Sequence, residues 1–289
     1  MFPWRIDANN ADRTLAPLLL LAAGLCGALL LLMIAFLLHE AWPLLSGGGW
    51  KAFWRDQSWY PLEGQFGLMP MFWASLAAAT GAVLVAGPLG LASAIFLCFI
   101  APAPIVKLYR VVLTLLAGIP SVVYGLWGLT VLVPLIGRLQ APGASLLAAI
   151  LILSLMILPT IALTSAASLA GVPREWLMAC DALGLSRRGR ILGVALPAAA
   201  AGIQSGVLLA IARALGETMA VLMVAGNVVR YPSGLFEPVR VLTANIALEM
   251  AYATGPHRAG LFASGLLLTL LVLVLACLAS RNRARIANG

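Results

Sequence analysis

The stretch AGIQSGVLLAIARALGETMAVLMVAGN, residues 201–227, decides how the chain must fold. It is apolar and long enough to cross a bilayer, which takes about 20 residues of helix. Near its centre it carries Arg213 and Glu217. An ionised side chain at mid-bilayer costs roughly 2.5–3.5 kcal/mol on insertion scales, so such residues usually face a protein interior or an aqueous pathway. The stretch predicts a membrane helix, residues 199–225, with one polar face.

The spacing of the two charges suggests what this polar face does. Residues four apart in a helix lie on one face, and Ala210, Gly206 and Gly202 continue that face with small side chains that allow a second helix to approach closely. One interpretation is a structural ion pair that only neutralises itself. The other is a transport role, because a guanidinium offers a planar fork of donors that fits phosphate oxygens. We favour the second, because pairing explains how the charges are tolerated but not why they are present.

Composition extends this picture to the whole chain. Of 289 residues, 62% are hydrophobic and only 10% are charged, with a mean hydropathy of +1.02, whereas soluble proteins carry about 25% charged residues. We predict an all-α polytopic membrane protein, with residues 1–289 forming one transmembrane domain. Its six spans are predicted at residues 15–38, 70–100, 109–133, 144–169, 199–225 and 259–279.

The basic residues indicate the orientation. The net charge of +8 would suggest nucleic acid in a soluble protein, but here the basic residues lie between and after apolar runs. We therefore apply the positive-inside rule and predict no nucleic-acid partner. With both termini in the cytoplasm, eleven Lys and Arg residues fall on the inner side and six on the outer side. The inner set is Arg5, Arg13, Lys107, Arg110, Arg174, Arg187, Arg188, Arg190, Arg281, Arg283 and Arg285, and the outer set is Lys51, Arg55, Arg138, Arg230, Arg240 and Arg258.

Two features near the outer face and inside the third span leave alternatives open. Trp42, Trp50, Trp54 and Trp59 lie in the first outer loop, where they are expected to be interfacial anchors or contacts for an external partner. Gly118-Ile119-Pro120 interrupts the third span. It indicates either close helix packing or a bent, gated pathway, because proline removes a backbone donor and kinks a helix.

The largest cytoplasmic loop, residues 170–198, contains GVPREWLMACDALGLSRRGRILGVALP (residues 171–197). We predict a short helix over residues 173–183, ended by Gly184, and a second over 187–196, stopped at Pro197. The loop is amphipathic and too small to be an enzyme. It either lies on the membrane surface or docks on a cytoplasmic partner.

The same loop resembles the cytoplasmic loop of permeases in binding-protein-dependent ABC importers, whose pattern is E-A-A-x3-G-x9-I-x-L-P. Gly184 is followed ten residues later by Val194-Ala195-Leu196-Pro197, while the E-A-A positions are Met178-Ala179-Cys180. The glutamate of the pattern is absent here, although Glu175 and Asp181 lie within about one turn. The resemblance implies that the loop fits a groove on an ATPase subunit.

Three further stretches resemble permeases of the phosphate ABC importer, PstC type: QFGLMPMFWASL (65–76), GIPSVVYGLWGL (118–129) and RALGETMAVLMVAGN (213–227). The resemblance implies the MetI-like fold of a type I importer in the bacterial cytoplasmic membrane, translocation of inorganic phosphate, and a place for Arg213 and Glu217 on the substrate pathway. It also implies four kinds of partner: membrane lipid, a PstA-type second permease, two PstB-type ATPase subunits, and an external phosphate-binding protein of PstS type.

Other classes of function fit the residues less well. The chain has no G-x-x-x-x-G-K-[ST] phosphate loop, so ATP hydrolysis is expected on a separate subunit, and we identify no catalytic, metal or cofactor site. A permease for sulfate, molybdate or phosphonate stays an alternative, since one arginine cannot distinguish tetrahedral oxyanions. An ion-coupled secondary transporter would more often show internal repeats, and a membrane enzyme would need a catalytic cluster at one face.

Overall fold

The computed structural model describes residues 8–47, 49–56 and 58–287, and helices make up most of this part of the chain. The helices are α1 (Ala8–Ser46), α2 (Trp50–Arg55), α3 (Met69–Ile95), α4 (Ala103–Gly118), α5 (Ser121–Trp127), α6 (Val133–Gly137), α7 (Leu146–Ala170), α8 (Arg174–Ala182), α9 (Arg187–Gly189), α10 (Leu196–Gly216), α11 (Met219–Val224), α12 (Leu242–Glu249) and α13 (Gly255–Ala287). A short antiparallel hairpin, β1 (Trp59–Tyr60) and β2 (Gln65–Phe66), pairs Trp59 with Phe66.

Within the described residues, five helical stretches are long and apolar enough to cross a membrane, and a bent pair adds a sixth. The five are Pro17–Ser46, Met69–Ile100, Leu146–Ala170, Arg187–Gly216 and Gly255–Cys277, and the bent pair is Ala103–Gly118 with Ser121–Gly137. These stretches correspond in order to the six predicted spans, with α1 running several residues past each predicted end.

The third predicted span, 109–133, is two helices that meet at an angle of 91°. Ile119 is extended, with ψ at 130°, because the residue before a proline is pushed out of the helical region. The Tyr124 hydroxyl donates to the Leu116 carbonyl at 2.8 Å, which satisfies an acceptor that the break frees. The bend that the second interpretation requires is present, and the role of this bend as a gate stays a prediction.

α7 forms the centre of the bundle, between α3 and α10. Large side chains of α7, including Ile157 and Ile161, are fully buried. They meet a stripe on α3 of four small residues spaced four apart, all buried: Ala74, Ala78, Ala82 and Ala86. Small residues let the two backbones approach, which is how membrane helices gain packing contacts.

On its other side α7 packs against the small face of α10. A Cβ added at Gly202 would overlap the Ser168 side chain, and one at Gly206 would overlap Thr164. The predicted close helix partner of the Gly202–Gly206 face is therefore α7. The two helices run antiparallel, since Gly202 meets Ser168 and Gly206 meets Thr164. Thr160, four residues before Thr164 on the same face of α7, therefore lies beside the end of α10.

The start of α10 differs from the prediction. Residues Arg187–Gly216 form one continuous helical stretch, so Pro197 does not stop a separate helix. A π-helical segment, Arg190–Ala195, precedes the proline. Its wider turn shifts the hydrogen bonding from i−4 to i−5, and such local π adjustments let a membrane helix accommodate a proline without ending.

The remaining long helices pack beside each other: α1 lies against α13, which also contacts α10 and α12. Phe36 of α1 meets Phe262 of α13 edge to face, with ring centroids 5.6 Å apart. Most other described side chains of α1 are exposed, which suits a helix that faces lipid, since lipid tails are as apolar as leucine.

Candidate functional site

The fifth predicted span is interrupted at the residues that carry its charges. α10 ends at Gly216, Glu217 is extended (φ −70°, ψ 127°), and α11 starts at Met219. Arg213 and Glu217 therefore do not share one helical face, and that prediction is wrong. Glycine weakens the helix at this point, and the Glu217 carboxylate takes over as an acceptor for the α11 backbone, since its Oε1 receives the Ala220 N–H at 3.3 Å.

Arg213 lies in the last turn of α10 with its side chain half-buried. Its Nη1 donates to the Thr160 hydroxyl of α7 at 3.2 Å. The phenol of Tyr124, on α5, is within electrostatic range of the guanidinium. The ion pairs among the described residues do not join Arg213 to Glu217, so the self-neutralising pair is not the arrangement that this structure shows.

Glu217 is tied to the outer part of the chain. Its backbone carbonyl accepts the Thr243 hydroxyl of α12 at 2.9 Å. Its side chain lines a narrow cavity together with Ser75, Leu153 and Val221. A carboxylate at the first turn of α11 is stabilised by the amide groups there, so Glu217 both supports the start of α11 and presents a negative charge beside the break.

Arg213 and Glu217 therefore lie on opposite sides of the helix break, and each contacts a neutral group: the Thr160 hydroxyl for Arg213 and the Ala220 N–H for Glu217. A guanidinium has five N–H donors, and a hydroxyl partner such as Thr160 leaves its charge uncompensated. An arginine in this state can bind an anion, and Glu217 lies four residues further along the chain, on the other side of the break.

The predicted ATPase-docking residues lie on α8 and at the start of α10. Most are exposed: Glu175, Met178, Ala179, Asp181, Gly184 and Pro197. Leu196 is half-buried and Cys180 is only 4% exposed. The structure therefore turns Cys180 away from any cytoplasmic partner, while Met178 (61% exposed) and Trp176 (53% exposed) present apolar surface outward.

The predicted end of α8 at Gly184 has the expected geometry. Gly184 has φ at +69°, the Leu185 N–H donates to the Cys180 carbonyl at 3.0 Å, and the Gly184 N–H donates to the Asp181 carbonyl at 3.1 Å. This pair of bonds is the Schellman motif, in which glycine adopts the left-handed conformation without a Cβ penalty. The turn sets the direction in which the loop leaves α8.

Two arginines then fix the loop. Arg190 donates from Nη1 to both carboxylate oxygens of Asp181, at 2.8 and 2.9 Å. Arg187 donates to the Phe99 carbonyl, at the end of the π-helical segment that follows α3. Arg190 therefore joins α8 to the helical stretch that continues into α10, and Arg187 joins this stretch to the segment that follows α3.

At the opposite end of the bundle lies a polar cluster that the sequence analysis missed. The Glu249 carboxylate accepts from Trp59 Nε1 at 2.7 Å and from Arg240 Nη1 at 2.7 Å, and it pairs with His257 Nε2 at 2.8 Å. Trp59 is 5% exposed, so it is not the interfacial anchor we expected, whereas Trp42, Trp50 and Trp54 are exposed. No local motif marks this cluster, because Trp59 and Glu249 are 190 residues apart.

The described residues contain no group of three or more His, Cys, Asp and Glu side chains that could hold a metal ion.

Comparison with known proteins identifies the family of the chain. Residues 86–288 match the family described as "Binding-protein-dependent transport system inner membrane component". The chain is 39% identical over 250 residues to a probable ABC transporter permease protein, YqgH, of Bacillus subtilis, covering 83% of this chain and 81% of the relative. It is 34% identical over 261 residues to the phosphate transport system permease protein PstC of Mesorhizobium japonicum, covering 82% and 80%.

Solved structures support the fold. An inward-facing conformation of the MetNI methionine ABC transporter superposes with a TM-score of 0.57 at 18% identity, covering 76% of this chain and 94% of that chain. This likeness shows the MetI-like fold of type I ABC importer permeases, in agreement with the predicted fold class. The chain therefore belongs to the binding-protein-dependent transport system inner membrane component family, as a multi-pass inner-membrane relative of the PstC permeases.

Proposed function

We propose that the chain is a PstC-type permease subunit, which forms half of the pathway of an ATP-driven importer of inorganic phosphate. The similarity to PstC permeases over about four-fifths of the chain supports the substrate class. The observation that carries the mechanism is the half-buried Arg213 guanidinium, whose hydrogen-bond partner is the neutral Thr160 hydroxyl.

The proposed mechanism is alternating access. A phosphate-binding protein of PstS type docks on the outer segments and delivers the anion, and a second permease of PstA type completes the pathway. Two PstB-type ATPases bind the cytoplasmic loops, with residues 170–198 as the docking loop of this subunit. ATP binding moves α8, the Arg187 and Arg190 contacts carry the displacement to α3 and α10, and the side of the membrane that Arg213 faces changes.

In this mechanism Arg213 and Glu217 have different tasks. Arg213 supplies charge-assisted hydrogen bonds to phosphate oxygens, which are stronger than those from neutral donors. Glu217 limits how tightly the anion is held, because a like charge nearby raises the free energy of the bound state. It can also accept a hydrogen bond from a protonated phosphate.

The test is uptake of radiolabelled phosphate by the complete importer reconstituted in proteoliposomes. Arg213→Ala and Arg213→Lys should lose most of the uptake at matched protein amounts, since a lysine lacks the planar fork, and Glu217→Gln should change the rate. Arg138→Ala, which removes an exposed arginine outside the pathway, is the matched control. Wild-type uptake by all three pathway variants would contradict the proposal.

Substrate choice is tested in the same proteoliposomes. A phosphate importer should keep its labelled uptake when sulfate is added in excess and lose it when unlabelled phosphate is added. Equal inhibition by sulfate would instead favour an importer for another oxyanion.

A further inference from the structure

The Glu249 cluster joins parts of the chain that are far apart in sequence. Glu249 is 8% exposed, and its carboxylate receives hydrogen bonds from three segments: Trp59 of the β1–β2 hairpin, Arg240 of the connector after α11, and His257 at the start of α13. A buried carboxylate is tolerated only when its oxygens are satisfied, so the three donors and the acid hold one another in place.

One arm of the cluster reaches the end of α11. Arg240 Nε donates to the Asn227 carbonyl at 2.9 Å. Asn227 has φ at +55°, and its side-chain amide donates back to the Leu222 carbonyl of α11 at 2.8 Å. Arg240 is therefore bonded to the turn that follows α11, three residues after the end of this helix at Val224.

A second arm reaches the break itself. Glu249 is the last residue of α12. The first turns of α12 contact the polar groups next to the pathway: the Thr243 hydroxyl donates to the Glu217 carbonyl at 2.9 Å, and the Leu242 N–H donates to the Ser75 hydroxyl of α3 at 3.0 Å. The cluster therefore holds the segment Glu217–Val224 from both of its ends.

The β1–β2 hairpin, which contacts the cluster through Trp59, is exposed on its outer side. Leu62, in the turn of the hairpin, is 97% exposed, and Tyr60 is 58% exposed. Trp59, directly before Tyr60, connects this hairpin to Glu249. The exposed hairpin is therefore joined to Glu249 by one hydrogen bond of 2.7 Å from the Trp59 indole N–H.

We propose that Glu249 is a positioning residue for transport, which fixes the α10–α11 break through Arg240 and α12 and links it to the β1–β2 hairpin. The proposal rests on the proposed function, because it takes the break with Arg213 and Glu217 as the substrate pathway. Glu249 itself contacts no substrate. It keeps Glu217 and α11 in register with the rest of the bundle, and it makes their placement depend on the position of the hairpin.

The experiment measures amide hydrogen exchange by mass spectrometry on the complete importer, alongside phosphate uptake. Two variants break the cluster: Glu249→Gln removes its charge, and Trp59→Phe removes one N–H and keeps a ring. Glu40→Gln is the matched control, since Glu40 pairs at 3.5 Å with the exposed Arg258 at the same end of the bundle. Exchange reports local opening segment by segment.

Both cluster variants should raise exchange several-fold in the hairpin and in residues 218–227. They should lower the maximal uptake rate several-fold while leaving the half-saturating concentration of loaded binding protein unchanged. The control should behave as wild type. If Glu249→Gln does not fold, Trp59→Phe alone decides by the same comparison.

The proposal is overturned if α11 exchanges at the wild-type rate while the hairpin opens, or if uptake stays at the wild-type rate although α11 exchanges faster. These outcomes are distinct from failure of the proposed function, because exchange requires no phosphate. If Glu249→Gln and Trp59→Phe exchange faster in α11 while Arg213→Ala takes up phosphate normally, the proposed role of Arg213 is wrong. The link between the Glu249 cluster and α11 is then still supported.

Discussion

At the scale of single residues, the Arg213 environment explains how a membrane helix can keep a charge available. The guanidinium is anchored by a hydroxyl of α7 and lies near a phenol of α5. Such neutral anchors orient the side chain without cancelling its charge, which a carboxylate would do. The small residues of α10 make this anchoring possible, because they bring the α7 row that ends in Thr160 within reach.

The anchor gives a first prediction. Thr160→Val keeps the shape of the side chain and removes the hydroxyl that accepts from Arg213. A hydrogen bond to a charged group contributes about 1.5–3 kcal/mol, so uptake should fall by about tenfold or more. Thr80→Val is the control, because the Thr80 hydroxyl is exposed and bonds only to carbonyls of its own helix. Equal uptake rates for the two variants would show that Arg213 does not need the hydroxyl.

Sequence reasoning located these residues better than it arranged them. Arg213 stood out because a charge in an apolar run is costly, and this depends on composition alone. The arrangement with Glu217 failed because the i, i+4 rule assumes an unbroken helix, while α10 ends at Gly216 and the Glu217 carbonyl accepts from Thr243 of α12, a contact over 26 residues that no local pattern reports. The Glu249 cluster was missed for the same reason, since its donors come from distant parts of the chain.

At the scale of helices, α7 and α10 approach each other so closely that the contact positions on α10 must be glycine. A Cβ at Gly206 would lie 2.9 Å from the Thr164 Cβ, too near for either helix to stay in place. Forcing extra atoms into a packed interface costs about 1–3 kcal/mol.

Gly206→Ala should therefore lower the thermal stability of the detergent-purified protein. Gly87→Ala is a matched control in α3, because a Cβ at Gly87 meets no described heavy atom within 4 Å; alanine there should leave stability unchanged or raise it by about 0.4–1 kcal/mol. The unfolding temperature of each variant is measured by heating samples and determining the remaining folded fraction by size-exclusion chromatography. If the two variants unfold at the same temperature, the close approach of α7 and α10 is not as described.

The docking loop supplies a prediction for a single turn. Gly184 has φ at +69°, a conformation that costs other L-residues roughly 1–2 kcal/mol. Gly184→Ala should weaken the turn after α8, lower the amount of ATPase subunit that copurifies, and reduce uptake. Gly189→Ala lies five residues on, where φ is −58°, and should retain the ATPase. Full ATPase retention by Gly184→Ala would separate this turn from docking.

At the scale of the whole molecule, the order of the elements separates two ends with different chemistry. One end holds α8 with its exposed Trp176 and Met178 and the arginines of the 170–198 loop. The other end holds the hairpin, the connector and the Glu249 cluster. The break with Arg213 and Glu217 lies between them, so a movement at either end has a short path to it through hydrogen-bonded groups.

The basic residues predict the orientation of the chain in the membrane, and this prediction is directly testable. With the 170–198 loop in the cytoplasm, a Leu183→Cys variant should react with a membrane-impermeant maleimide only after the cells are opened, while Leu62→Cys should react in intact cells. Both positions are exposed, at 81% and 97%, in a background in which Cys26, Cys98, Cys180 and Cys277 are replaced. The reverse labelling pattern would invert the topology.

The fold was predictable from sequence at this scale because six apolar segments and the positions of Gly and Pro carry the information locally. The bend at Ile119-Pro120 was signalled by proline, although the angle was not. The sequence did not predict that the loop continues into α10 as one helix. Residues 190–195 form the π-helical turn before Pro197, and they show no sequence pattern that indicates such a turn.

The role of Arg213 in moving phosphate is best measured as the number of labelled phosphate ions that the reconstituted importer takes up per ATP hydrolysed. The Arg213→Ala variant should keep the ATP hydrolysis that the loaded binding protein stimulates, because α8 and its contacts are intact, while phosphate import per ATP falls to a small fraction of the wild-type ratio. An unchanged ratio in a well-folded Arg213→Ala importer would contradict the account.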